Sequence, residues 1–322
     1  MRDMEYTFAV ARIRVLEKHL LSNDDLELMI GLKDVPAVMA YLIDKGWGKG
    51  SEQDPDRLLA DEAAKSVDLM RELKLDEELF RLLTYPSYFH NLKAGIKELC
   101  TGICVPGAYY DLEDFGREDL LDLLREKNYR ALPEDMQEVA GEAYETMART
   151  QDGQRCDLLV DRACLDAMMK RARESRCDLI RAYEDMTVAV ADIRIACRAA
   201  KTGKSLTFLK ESLAECDSIS ASALADAASR GSEELLAYLR GQGHGQAADA
   251  IEEGASAFDR WCDNRLIETL RPQKTNSVSA GPLVAYYLAK ENEIKSVRIL
   301  LTAKANGFSD EAIRGRMREM YG

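Results

Sequence analysis

The chain has 322 residues, 46% apolar and 31% charged, so it has enough apolar surface to offset chain entropy and is not intrinsically disordered. A net charge of −13 speaks against a nucleic-acid binder, which needs a basic face, and against adsorption to anionic lipid. Glycine and proline are scarce and no proline lies between Pro133 and Pro272, which points to an all-α chain because proline interrupts helices.

From the N-terminus, MRDMEYTFAVARIRV has charges scattered through it and no continuous apolar core, so it is not expected to be a signal peptide. FAVARIRVLEKHLLSN reads as a helix, and Ser22 is placed to cap a second one over DDLELMI. The run Val35–Ile43 is about half the ~20 residues needed to span a bilayer, as is Pro282–Ala289 near the other end. Gly46, Gly48 and Gly50 in GWGKG follow no strand pattern and read as a flexible loop between helices. SYFHNLKAGIKELCTG, residues 87–102, is the next helix with a glycine stop. Asp111, Glu113, Asp114, Glu118 and Asp119 lead into REDLLDLLREK, where acidic residues suit a helix start. VAVADIRIACRAAKTG, residues 188–203, places Ile193, Cys197 and Ala200 on one stripe. Its end, AKTGKS, resembles a phosphate loop, but Arg198 stands where the first glycine is needed and a helix precedes it, so it reads as a helix C-terminus. NEIKSVRILLTAKANG, residues 292–307, is followed by Ser309 as the cap of a last helix.

The eight cysteines include no CxxC pair, and the three histidines, His19, His90 and His244, belong to no metal-binding spacing. No metal, cofactor or catalytic residue is therefore expected. Free thiols, most of them small core residues, fit a reducing, cytosolic compartment.

Stacked without a gap, the helical segments repeat. An aliphatic residue precedes a basic one at Ile13–Arg14, Leu92–Lys93, Ile193–Arg194 and Val297–Arg298. Nine residues after the basic one comes Asn23, Gly102, Gly203 or Gly307, the residues that end helices in the left-handed conformation. Arg14/Lys18, Lys93/Lys97 and Arg194/Arg198 are also pairs four apart, whereas Thr302 breaks the pattern in the last copy. A solvated face, a shared cavity lining and ion pairing between helices all remain open for these residues. The copies lie 79, 101 and 104 residues apart, too far for a solenoid and right for three helical modules over residues 1–105, 106–207 and 208–322. The N-terminal helix is then expected to pack with the C-terminal helices.

Taken together, YTFAVARIRVLE, YPSYFHNLKAGIK, DMTVAVADIRIACR and above all ENEIKxxRIxxxxKxNGxxxExIRxRxRExY resemble the C subunit of the V/A-type ATP synthases, which is similar to the d subunit of vacuolar ATPases. The resemblance runs from Met4 to Tyr321 and departs at Thr302–Ala303, where the family more often has a glycine before the lysine. It implies an all-α fold of three similar modules in a pseudo-threefold funnel with a central cavity. It further implies a non-catalytic, peripheral central-stalk component on the cytoplasmic side of the membrane. Such a component couples the central shaft to the membrane rotor ring of proteolipid subunits and carries torque for ATP-linked proton or sodium transport. The stator membrane subunit is a further partner in this picture, and nucleic acid is not. For the shaft socket, the face carrying Arg14, Lys93, Arg194 and Arg298 is the candidate, though the same residues could brace neighbouring helices. The alternatives are a free-standing helical scaffold that binds other proteins, and a helical enzyme using the acidic block with Mg²⁺.

Overall fold

Residues built for helices, punctuated by caps rather than prolines, form helices in the computed structural model, which describes residues 6–50, 54–112 and 116–322. Met4, Glu113 and Asp114 lie outside the described residues. The chain is all-α, and no strand occurs among the described residues. In chain order the helices are α1 (Tyr6–Leu16), α2 (Asn23–Gly31), α3 (Val35–Asp44), α4 (Pro55–Glu72), α5 (Glu77–Thr101), α6 (Arg117–Arg125), α7 (Gln137–Thr150) and α8 (Gly153–Glu174). They continue with α9 (Asp178–Thr202), α10 (Leu206–Ser212), α11 (Ala221–Arg230), α12 (Ser232–Gly241), α13 (Gly245–Glu253), α14 (Ala255–Leu270), α15 (Gly281–Ala305) and α16 (Asp310–Arg314). Among the described residues no helix is long and apolar enough to cross a membrane.

The repeat is deeper than its sequence signature. Each of the three later copies is the second half of a helix of 25 residues, α5, α9 or α15. Gly102, Gly203 and Gly307 all take the left-handed conformation, with φ of 71°, 64° and 70°. Lys204 N–H reaches back to the Ala199 carbonyl, and Phe308 N–H to that of Ala303, at 3.0 Å each, satisfying acceptors the helix end leaves open. The phosphate-loop resemblance thus ends as a helix stop. The first copy departs: α1 closes into a 3₁₀ turn at Glu17–His19, and Asn23 opens α2 instead of capping α1. Ser22 must be extended to cap α2, and Asn23 Oδ1 is occupied by the Met320 N–H at 3.0 Å.

By its contacts the chain divides into two units. One comprises residues 1–77, 176–183 and 243–322, the other residues 78–175 and 184–242. In the first, α15 is the central helix, and α1, α3, α4, α14 and α16 pack on it. The apolar run Pro282–Ala289 is buried there along its whole length. The C-terminal half of α15, through Ile294, Val297, Leu300 and Leu301, joins Leu21, Met29, Ile30, Leu42, Trp47 and Leu58 in one core. In the second unit α7 packs on α8, α10 on α8 and α11, and α11 on α12. Gly95 lets α6 approach α5: a Cβ there would meet Leu124 Cδ1 at 3.1 Å. α5 runs through Pro86 without ending, so this proline does not set the boundary its residue type suggests.

In the second half of α9 the buried apolar residues are Ile193, Ala196 and Ala199, so Ile193 of the stripe read in the sequence is deep while Cys197 and Ala200 are half-buried, one position off the buried face. The cysteines divide: Cys156, Cys164, Cys216 and Cys262 are buried, whereas Cys104 is exposed beside the Arg117 guanidinium.

Candidate functional site

Arg14 and Arg298 belong to one unit, Lys93 and Arg194 to the other. Arg14 donates to Glu17 at 2.7 and 2.8 Å and to the carbonyls of Gln273 and Asn276 at 2.5 Å each, tying α1 to the turn before α15. Lys93 donates to Asp161 at 2.5 Å and Lys97 to Asp157 at 2.8 Å, so two residues four apart on α5 meet two four apart on α8. Arg194 is half-buried and also engaged. Arg298 is 56% exposed and pairs with Asp56 at 3.5 Å. Each basic residue thus has an intramolecular interaction; Lys93 and Arg298 pair with carboxylates of other helices, whereas Arg14 reaches across the sequence to backbone carbonyls. In the acidic block, Glu118 and Asp119 lie in the first turn of α6, and Asp119 accepts the Gly116 N–H at 3.1 Å. Among the described residues no cluster of His, Cys, Asp and Glu is arranged to hold a metal ion.

The C-terminal signature is a set of ties within the first unit. Asn292 donates to the Glu319 carbonyl at 3.1 Å, and Lys295 to Asp263 at 2.7 Å. Lys304 lies against the end of α2 and donates to the carbonyls of Ile30 and Leu32 at 2.7 and 2.6 Å, capping that helix from outside. Arg314 grips Glu27, and Arg318 shares Asp263 with Lys295. Tyr321 is buried, with its hydroxyl 3.4 Å from Glu17. These residues hold α14, α15, α16 and the tail after α16 onto the N-terminal helices.

At the middle of α15 lies a feature that sequence reasoning missed. The Lys290 ammonium sits between Glu62 of α4 at 2.7 Å and Glu293 of its own helix at 3.0 Å. Glu293 also accepts the Leu21 N–H at 2.6 Å, and Glu62 accepts from Gly48 N–H at 3.2 Å and Lys65 at 3.0 Å. Lys290 stands 4.5 Å from the centre of the Trp47 ring. The GWGKG loop is therefore fastened rather than flexible: Trp47 is buried and the Gly46 carbonyl accepts from Lys65 at 2.8 Å. Burial alone would raise Glu62 and lower Lys290. The mutual attraction wins in both, holding Glu62 below the ordinary carboxylate range and Lys290 above the ordinary ammonium range. For Glu293 burial prevails over Lys290 and the Leu21 N–H, and its carboxyl is pushed up to about 7.

Glu62 and Lys290 of this cluster line a cavity of about 490 Å³ together with Arg12, Trp47, Lys65, Glu72 and Tyr286. Arg12 and Glu72 pair at its edge, joining α1 to α4. Neither Arg14 nor Arg298 lines it. A signal was present in the sequence: Lys290 and Glu293 follow directly on the apolar run of α15, one turn apart, where a solvent face would not be expected. Their partner Glu62 is far off in sequence and had no local mark.

A family model described as ATP synthase (C/AC39) subunit matches residues 9–316. The chain is also similar to the C subunit of the V-type sodium ATPase of Enterococcus hirae, with 24% identity over 351 aligned positions that cover 99% of each chain.

Proposed function

This chain belongs to the ATP synthase (C/AC39) subunit family, and on that premise we propose that it is the non-catalytic central-stalk coupler of a rotary V/A-type ATPase. In this reading it sits on the cytoplasmic side of the membrane, receives the central shaft, rests on the proteolipid rotor ring, and passes torque between ATP chemistry and ion transport. The observation that carries the reading is the end-to-end alignment with the C subunit of a V-type ATPase, which leaves no large part of either chain unmatched. A torque coupler must be stiff, and the ties of α15 to α4, α1, α2 and α14 supply stiffness in one unit, as the α5–α8 ladder does in the other. The three helices of equal length, each with a glycine stop, support three modules over residues 1–105, 106–207 and 208–322 around a pseudo-threefold axis. The relative's name speaks of sodium. Protons and sodium are both compatible with a coupler, because the ion is chosen elsewhere in such a machine.

Affinity purification of the tagged chain from gently solubilised membranes, with mass spectrometry of what accompanies it, tests the role. Ring, shaft and head subunits should be recovered together. Recovery of the chain alone, from the soluble fraction, would give the scaffold reading instead. The socket assignment is tested separately. Arg194→Ala with Arg298→Ala should weaken binding of purified shaft subunits in calorimetry while the helical circular dichroism stays unchanged. Unaltered shaft affinity would end the assignment.

A further inference from the structure

The buried cluster on α15 carries an unequal number of charges. Glu62 and Glu293 are 6% and 1% exposed in their side chains and Lys290 is 8% exposed, so two carboxylates share one buried ammonium. Lys65 is 43% exposed and joins the cluster only through Glu62. Glu293 is left with half a share of Lys290 and one backbone N–H, at the deepest point. A carboxylate buried without a full counter-charge is expensive, and such groups take a proton instead. The cavity that reaches Lys290 and Glu62 gives that proton a route from solvent. The other charged groups nearby are His19, Arg12, Lys45, Asp68 and Glu72 on the cavity wall, where Arg12 pairs with Glu72, Lys45 with Asp25 and Asp68 with Arg71, and Glu17 on the segment after α1, tied to Arg14 and Tyr321.

We propose that the Glu62–Lys290–Glu293 cluster is a proton-binding site, that the proton resides on Glu293, and that it holds the Leu20–Ser22 segment closed against α15. The proposal stands independently of the coupler role. Its sign follows from linkage. When the segment lifts away, Glu293 meets water and its pKa returns to the ordinary carboxylate range, so the closed form binds the proton more tightly than the open one. Closure is therefore strongest in mild acid and weakens as pH rises to about 7, where Glu293 ionises in the closed form as well. Because Met320 is bonded to Asn23 and the tail lies beside Leu21, both chain ends loosen together.

Amide hydrogen exchange of the full chain, corrected for intrinsic rates, tests this between pH 5 and pH 8. Protection of Leu21 and Ser22 should fall by up to about tenfold per pH unit up to pH 7 and then level off. In Glu293→Gln the profile should be flat, whereas in His19→Gln it should be retained. Protection in the unaltered chain that does not change with pH would overturn the proposal, as would a slope that survives in Glu293→Gln. Should Glu293→Gln fail to fold, the carbon-13 shift of the Glu293 carboxyl in the unaltered chain decides. A midpoint at or above pH 6 supports the site, and one below pH 6 overturns it.

Discussion

Lys304 shows how a charged side chain becomes structural. Its ammonium is nearly buried and satisfies two carbonyls at the end of α2, with Asp310 at 3.9 Å. Lys304→Met keeps the aliphatic stem and removes the donors, leaving carbonyls to be rehydrated. It should cost about 1–3 kcal/mol in urea unfolding. Lys93→Ala should cost less, about 0.2–1 kcal/mol, because Asp161 is half-exposed and water takes the place of the lost ammonium. Glu184 is the converse case: wholly buried on α9, with neither carboxylate oxygen hydrogen-bonded, its carboxyl is pushed up to about 8 by burial. Glu184→Gln keeps the shape and removes the ionisation, so it should raise the melting temperature at pH 8.5 and raise it by less at pH 6, the effect of charge vanishing near pH 4.

Helices are the units that local sequence specifies well here. The caps at Ser22 and Ser309, the glycine stops, and the acidic first turn of α6 all depend on atoms within about five residues of one another. Their energies are local too: Gly203→Ala, at φ 64°, should cost about 1 kcal/mol, read as a shift in the denaturation midpoint. Gly95→Val should cost more, about 1–3 kcal/mol, since its side chain must displace Leu120 and Leu124 of α6. That second glycine looks the same in sequence as the first. Nothing local distinguishes a stop from a place where another helix passes, and nothing local revealed that α5 continues through Pro86 or that α1 ends before Asn23.

Across the whole molecule, several carboxyls are buried more deeply than nearby charge and hydrogen bonds compensate. Besides Glu184 and Glu293, Asp192 on α9 is pushed up to about 7 by burial although both its oxygens accept the Ala214 N–H at 3.1 Å. A carboxyl raised on folding binds its proton more tightly in the native chain, so its contribution is complete below its unfolded pKa and is lost as pH rises through the folded value. The carboxylates held low by partners, such as Asp25 beside Lys45 and Asp135 beside Arg171, lose their contribution only in stronger acid. Global stability should therefore decline from pH 5 to pH 8, approaching about 1.4 kcal/mol per pH unit for each titrating group. Calorimetric melting across that range checks it, and a maximum at pH 8 would contradict the burial of these groups.

The sequence by itself determined the helical class, the caps, the glycine stops, the recurring segments and, through its C-terminal signature, the family. All of these are written in spacings of a few residues or in residue identities that persist along the chain. Tertiary structure decided what the polar residues of that signature hold together, and it alone made the cluster at Lys290. Glu62 and Leu21 reach α15 from more than 200 residues away. A charge's fate depends on whether a partner or water fills the space around it, which is settled only when the helices have packed.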